Sequence, residues 1–190
     1  DDEFFKDHSS NWERPLRKSE VACCLSHRLA WDKILKDKLP YLVIEDDVIL
    51  HEDTKDILHI LYNNQKLDCV NLETRNRQKI VSRKKISIHE KYNLSKIIHN
   101  KSGAAAYILW PSGALILNNY LKDNGVGLAD AIITNCEKLR SFQIEPAIAV
   151  QIDCCEKYQI TTPIKVSSSI NNSIKPNSKK IIFFRYKRFI

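Results

Sequence analysis

Three adjacent carboxylates, Glu45, Asp46 and Asp47, follow directly on the apolar run at residues 41–44. Partly desolvated carboxylates this close together repel one another, so a bound cation would stabilise them. Oxygen ligands favour Mg²⁺ or Mn²⁺ over zinc, and such an ion would in turn bind a phosphate group. The alternative interpretation is an acidic turn that caps the next helix.

A second group of polar side chains precedes the carboxylates at helical spacing. The residues that share this helix face are Glu20, Cys23 or Cys24, His27 and Trp31. His27 could hydrogen-bond a phosphate or a sugar hydroxyl, and Trp31 could pack against a sugar ring. Alternatively, the pair is a buried histidine with satisfied hydrogen bonds beside a core tryptophan.

A third group is basic and is predicted to lie in a loop or an edge hairpin. Its members are Arg75, Arg77, Lys79, Arg83, Lys84 and Lys85. The segment could bind an anion, or it could be the solvated edge of a sheet.

The elements that position these groups alternate between strand and helix. A helix is predicted from Ser19, as its cap, to about Lys38, and residues 41–44 are predicted to be a strand buried on both faces, as in a parallel sheet. The elements predicted downstream are a helix that Asp53 caps, strands at 69–72 and 104–109, a helix from Pro111, a helix at 129–139 and a strand at 142–150. The pattern indicates an α/β layered domain.

Length and composition exclude several classes. The 190 residues, with 43% hydrophobic and 28% charged side chains, suit one globular domain rather than a disordered or fibrous protein. No apolar run approaches the roughly 20 residues of a membrane span, and the first residues lack signal-peptide features. The six cysteines have no C-x-x-C spacing, so we expect free thiols in the cytoplasm and no zinc finger. The net charge of +7 favours an anionic partner.

Several of these residues together resemble glycosyltransferase family 25, which includes bacterial lipooligosaccharide galactosyltransferases and collagen galactosyltransferases. The resemblance rests on Glu20 to His27, on Trp31 and on the run from Tyr41 to Val48. It continues at Gly103 to Ile108, Gly113-Ala114, Asp130, Pro146 and Gln151, and so covers about residues 19–151. Richness in Ile, Lys and Asn favours the bacterial branch.

The resemblance implies a GT-A-like, Rossmann-type nucleotide-diphospho-sugar transferase. It implies a hexose, most often galactose from UDP-galactose, moved with inversion onto a lipooligosaccharide or lipopolysaccharide acceptor. Asp47 and Glu45 would hold Mn²⁺ or Mg²⁺, with Glu45 or Asp46 near the ribose or a metal-bound water. The other substrate-binding residues would be Glu20, Ser26, His27 and Tyr107, and the catalytic residues would be Asp47 and, as general base, Asp130.

The chain departs from the family pattern in three places. Ser19 replaces a glycine, Leu128-Ala129 replaces proline-valine, and the usual first strand with its Asn-Leu signature is missing from this sequence. Two other functions therefore stay open: a metal-dependent phosphoesterase or nuclease that uses the same carboxylates, and a truncated, non-catalytic remnant.

The composition changes after Pro163. We predict a transferase domain at residues 1–164 and a C-terminal tail at 165–190 in which residues 179–190 interleave basic and aromatic side chains. These last residues could contact an anionic membrane or pack on the domain. The expected partners are a nucleotide-sugar donor and a saccharide acceptor, without nucleic acid, and the expected location is the cytoplasm, peripheral on the inner membrane.

Overall fold

A computed structural model describes residues 15–64, 66–75, 78–99 and 103–162. The helices are α1 (Lys18–Asp37), α2 (Thr54–Tyr62), α3 (Pro111–Asn124) and α4 (Ala129–Asn135). The strands are β1 (Tyr41–Ile44), β2 (Val48–Leu50), β3 (Cys69–Asn71), β4 (Glu73–Thr74), β5 (Ile80–Ser87), β6 (Asn93–His99), β7 (Ala106–Leu109), β8 (Ser141–Glu145) and β9 (Ala149–Gln151). Two short 3₁₀ turns follow, at Ile152–Cys154 and Glu156–Tyr158. The mixed α/β class is as predicted.

Helix α1 carries the polar group that the sequence singles out. Its buried residues recur at helical spacing and include His27, Trp31 and Ile34. The prediction that Ser19 caps the helix is wrong, because the N-cap is Arg17 and Ser19 lies inside the first turn. Glu20 replaces the expected cap hydroxyl: its carboxylate accepts a hydrogen bond from the Arg17 backbone N–H at 2.8 Å.

The main sheet has six strands in the order β1-β7-β3-β8-β6-β5. Strand β7 runs antiparallel to both β1 and β3, whereas β3 and β8 are parallel. The prediction that residues 41–44 lie inside a parallel sheet, buried on both faces, is wrong. Strand β1 is an edge strand, half-buried over its first three residues and exposed at Ile44. A short apolar run carries no information about its neighbours, and here the neighbour comes from 65 residues later in the chain.

Alternating side chains of the central strands face two separate cores. Tyr107 and Leu109 pack with α1, α3 and α4 on one face of the sheet. Ala106 and Ile108 pack with α2 and with the second sheet on the other face. The sheet is therefore covered on both faces. This packing holds in place the loops that follow its strands.

The second sheet has three strands in the order β2-β9-β4, with β2 antiparallel and β4 parallel to β9. The single strand predicted at 142–150 is two strands in different sheets, because Pro146 lies between them and cannot donate a ladder hydrogen bond. The helix predicted at 129–139 ends at Asn135. The strand register places Gln151 of β9 opposite Val48 of β2, beside the acidic triplet.

The predicted domain boundary and tail lie outside the described residues, which end at 162. Among the helices that are described, none combines the length and the apolar character that a bilayer span requires.

Candidate functional site

The acidic triplet forms the turn between β1 and β2. The Glu45 backbone N–H donates to the Ala105 carbonyl at 2.8 Å, and the Asp47 carbonyl accepts from the Ile152 N–H at 2.9 Å. Asp46 is exposed, whereas Glu45 and Asp47 are half-buried. The alternative in which the triplet caps the next helix is wrong, because β2 intervenes and α2 begins only at Thr54.

The side chains of Glu45 and Asp47 converge on the amide group of Gln151. The Gln151 Nε2 donates to Glu45 Oε2 at 3.2 Å and to both Asp47 carboxylate oxygens at 3.1 Å. Gln151 is 5% exposed, so it holds the two carboxylates together at a buried point. Sequence reasoning noted Gln151 only as part of a resemblance. The signal that could have found it is its position at the end of a strand adjoining β2.

A chain of buried hydrogen bonds holds Glu45 from the other side. Trp31 Nε1, which can only donate, bonds to the Tyr107 hydroxyl at 2.8 Å, and that hydroxyl lies 2.9 Å from His27 Nδ1. Burial raises the pKa of Tyr107 well above its ordinary value, so the hydroxyl keeps its proton. We infer that Tyr107 donates to Nδ1, and that the Nε2–H of His27 faces Glu45 Oε1 at 3.4 Å.

The structure confirms the core interpretation of this helix face, and the prediction that Trp31 packs against a sugar ring is wrong because its side chain is fully buried. Trp31 is fully buried and His27 is 5% exposed, as the core interpretation predicts. His27 nevertheless reaches the acidic triplet through its second ring nitrogen. The pair is therefore part of the core and also supports the carboxylate site.

Cys23 lies one helical turn before His27 and close to the same carboxylate. Burial raises the pKa of the Cys23 thiol to about 11, and the nearby Glu45, Cys24 and Asp130 add to this shift. Asp130, in the first turn of α4, is thus close enough to Cys23 to act on its charge. The predicted base and Glu45 of the acidic triplet therefore both act on the charge of one thiol.

Glu73 is a second buried carboxyl group near the triplet, and sequence reasoning missed it. Its Oε1 accepts from the Ala105 N–H at 3.2 Å, while Oε2 is buried without a partner among the described residues. Burial raises the pKa of Glu73; the Ala105 hydrogen bond and the charges of Lys79 and Arg75 oppose this, and Glu45 reinforces it. An acidic residue directly after a buried strand is the sequence signal that could have found it.

Gly103 makes room for this carboxyl group. Its φ is +113°, a conformation that favours glycine, and a Cβ there would lie 2.1 Å from Glu73 Oε1. The glycine and the buried carboxyl group therefore depend on each other.

The basic segment runs into the predicted edge hairpin, and its anion-binding role stays a prediction. Residues Ile80–Ser87 form β5, which pairs with β6 in this hairpin, and Lys85 pairs with Glu145 at 2.7 Å. Arg75 and Lys79 precede the hairpin and act on the charge of Glu73. Arg75 also pairs with Asp153 at 3.0 Å. Arg77 lies outside the described residues.

Two other predicted site residues serve α1 itself. Glu20 pairs with the Arg17 guanidinium at 3.2 Å in the first turn. Ser26 is exposed, and its hydroxyl donates to the Ala22 carbonyl at 3.0 Å. The structure therefore brings together Glu45, Asp47, His27 and Tyr107, places Asp130 where its charge acts on Cys23, and leaves Asp46 and Ser26 exposed.

Comparisons with known proteins identify the family of the chain. Residues 2–133 match the family model described as glycosyltransferase family 25, LPS biosynthesis protein. Two similar proteins of Haemophilus influenzae are the lipooligosaccharide biosynthesis proteins lex-1, 28% identical over 76% of this chain and 53% of its own length, and lic2B, 26% identical over 72% and 55%. The lacto-N-neotetraose biosynthesis glycosyltransferase LgtE of Neisseria gonorrhoeae is 31% identical over 47% of this chain and 35% of its own. The chain spans about half the length of the first two relatives.

Proposed function

The chain belongs to glycosyltransferase family 25, and on this premise we propose that it transfers a hexose from a nucleotide sugar to a saccharide acceptor in lipooligosaccharide or lipopolysaccharide synthesis. The proposed donor is UDP-galactose, the proposed fold type is GT-A, and the proposed stereochemical outcome is inversion. Relatives that carry lipooligosaccharide biosynthesis in their names support the acceptor class.

The observation that carries the proposal is the convergence of Glu45 and Asp47 on one buried amide. Three carboxylate oxygens lie 3.1–3.2 Å from Gln151 Nε2, and this amide brings no positive charge to the pair. All-oxygen ligands of this kind fit Mn²⁺ or Mg²⁺. Such an ion, when bound, neutralises the charge of the departing diphosphate.

The residues of the chain prepare this site for a charged ligand. The buried bonds from Trp31 through Tyr107 to His27 fix Glu45, and Gln151 fixes both carboxylates. Holding the carboxylates in place before the ligand arrives avoids the cost of ordering them during the reaction. Arg75 and Lys79, whose charges reach Glu73, are proposed to face the diphosphate.

We propose Asp130 as the general base. In the inverting reaction the acceptor hydroxyl oxygen bonds to the anomeric carbon, the bond from that carbon to the diphosphate breaks, and the hydroxyl proton passes to the carboxylate. A base so placed contributes about 10² to 10⁴ in rate. The nearness of Asp130 to Cys23, which also adjoins Glu45, supports this role.

The test is a transfer assay on the purified chain. We expect UDP-galactose, Mn²⁺ and a lipooligosaccharide acceptor to yield an acceptor heavier by one hexose in mass spectrometry, and we expect Asp47→Asn to abolish this product. The matched control is Asp56→Asn, which changes an exposed carboxylate on α2. Galactose transfer that survives in Asp47→Asn would refute the proposed site.

The same assay separates the alternatives. A folded chain without product from UDP-galactose, UDP-glucose or UDP-N-acetylglucosamine would indicate the non-catalytic remnant. Metal-dependent cleavage of nucleic acid would indicate the nuclease, which the family match does not favour.

A further inference from the structure

Three potential metal ligands of different chemistry meet at the inner end of the carboxylate site. The thiol of Cys23, the imidazole of His27 and the carboxylate of Glu45 each present one ligand atom, and these atoms all lie within 4.8 Å of one another. Cys23 and His27 are four residues apart on α1, so both project from one helix face. His27 Nδ1 is taken by Tyr107, so Nε2 is the atom that faces the cluster.

We propose that Cys23, His27 and Glu45 form a zinc site, which shares Glu45 with the Glu45–Asp47 site proposed for the nucleotide diphosphate. Thiolate and imidazole favour Zn²⁺ over Mg²⁺ or Mn²⁺. In tetrahedral zinc sites with bonds of about 2.0–2.1 Å to nitrogen and oxygen, those two ligand atoms lie about 3.3 Å apart. His27 Nε2 and Glu45 Oε1 are already 3.4 Å apart.

The charges of the three ligands would balance the charge of a divalent ion. Zn²⁺ would displace the Cys23 proton, and one thiolate and one carboxylate would then neutralise the ion, with a neutral imidazole as third ligand.

A second layer of contacts already orients the histidine ligand. Zinc-bound His27 would carry its proton on Nδ1 and donate it to the Tyr107 oxygen, which lies 2.9 Å away. Tyr107 is itself fixed by Trp31. Metal binding would therefore exchange the two ring tautomers without moving the ring.

Both proposed ions would need Glu45. Zinc bound at Cys23 and His27 would draw Glu45 from Gln151 and Asp47, so we expect zinc to compete with the diphosphate-binding cation. This consequence rests on the proposed transferase function, whereas zinc binding itself does not.

The test uses Co²⁺ as a spectroscopic probe and Zn²⁺ as competitor on the purified, reduced chain. We expect one Co²⁺ per chain, with the absorption of a cobalt–thiolate bond, and full displacement of the ion by one equivalent of Zn²⁺. In Cys23→Ser we expect the thiolate absorption to disappear and zinc affinity, measured against a chromophoric chelator, to fall about 100-fold or more. In Glu45→Gln the thiolate absorption should persist with weaker affinity.

Two control variants make the result specific. Cys154→Ser removes another partly exposed thiol that lies outside the cluster and should leave the cobalt spectrum unchanged. Asp47→Asn should also keep the spectrum, although it destroys the proposed diphosphate site, so the two proposals can fail separately. A spectrum without thiolate absorption, or one that survives in Cys23→Ser, would overturn the zinc site.

Discussion

Glu45 receives hydrogen bonds from two directions, and these bonds hold its side chain in one position. His27 approaches Oε1 at 3.4 Å and Gln151 approaches Oε2 at 3.2 Å, while its backbone N–H is bonded to Ala105. A side chain held at both carboxylate oxygens and at the backbone has lost most of its rotamer freedom before any ligand arrives.

The buried Tyr107 hydroxyl links Trp31 to His27 by hydrogen bonds, and Tyr107→Phe tests this link. The change leaves the Trp31 N–H without its acceptor in a fully buried position. We expect the free energy of unfolding in urea to fall by about 1–3 kcal/mol. Tyr62→Phe, at a hydroxyl-bearing side chain that is 48% exposed, should change it by less than about 0.5 kcal/mol. Equal stabilities of the two variants would contradict the proposed link.

Glu73 should make stability depend on pH in the direction opposite to an ordinary salt-bridged carboxylate. Burial raises its pKa above 4.5 in the folded protein, so the folded state holds the proton more tightly than the unfolded state. The stabilisation from protonated Glu73 is therefore present at low pH and is lost as pH rises through the folded pKa.

Glu73→Gln should remove this dependence. We expect the variant to gain stability relative to the natural chain, and to gain more at about pH 8 than at about pH 5. Urea unfolding at both pH values measures the difference, with Glu52→Gln as the exposed control. A gain that is the same at both pH values would show that Glu73 is not held protonated by its burial.

At the scale of elements, the contact between α3 and β3 positions β7 and hence Tyr107. Gly113 lies in the first turn of α3, where an added Cβ would be 2.3 Å from the Asp68 carbonyl oxygen. Asp68 also receives the Ser112 hydroxyl at 2.7 Å and the Arg140 guanidinium at 2.7 and 3.1 Å. One buried carboxylate thus joins the starts of β3, α3 and β8.

Gly113→Ala tests how closely these elements pack. Alanine gains up to about 1 kcal/mol in helix propensity, but the overlap with backbone atoms should outweigh it and leave a net loss of about 1–3 kcal/mol. Asn119→Ala, at an exposed position on the same helix, should be neutral or slightly stabilising. Thermal unfolding of both variants measures the effect, and a stabilised Gly113→Ala would contradict the close contact.

The elements were predictable from the sequence where periodicity or turn chemistry is strong. Helix α1, the helix from Pro111 and the basic hairpin follow from local pattern. The partners of β1 and the division of residues 142–150 between two sheets do not, because they depend on pairing over long separations.

The residues of the candidate site also differ in how well the sequence predicts them. The triplet and His27 carry recognisable spacing, so the sequence predicts both. Gln151 and Glu73 each adjoin a predicted strand, but only the long-range pairing of β9 with β2 and β4 brings them to the site.

At the scale of the whole molecule, the two sheets bring the residues of the site together. The main sheet and the second sheet each end beside the triplet, one through β1 and β7 and the other through β2 and β9. The polar side chains of the site are thereby gathered from segments as distant as His27 and Gln151. The membrane contact expected of residues 179–190 stays a prediction, since those residues lie outside the described part of the chain.

Glu45 and Asp47 are proposed to hold a cation that binds the donor's diphosphate. Titration calorimetry of UDP into the purified chain tests it directly, with Mn²⁺ present and with the metal removed by chelation. We predict that Mn²⁺ strengthens UDP binding at least about tenfold, about 1.4 kcal/mol, and that Asp47→Asn loses this gain while Asp56→Asn keeps it. Equal UDP affinity with and without Mn²⁺, or an Asp47→Asn variant that keeps the full gain in affinity, would contradict the proposed cation site.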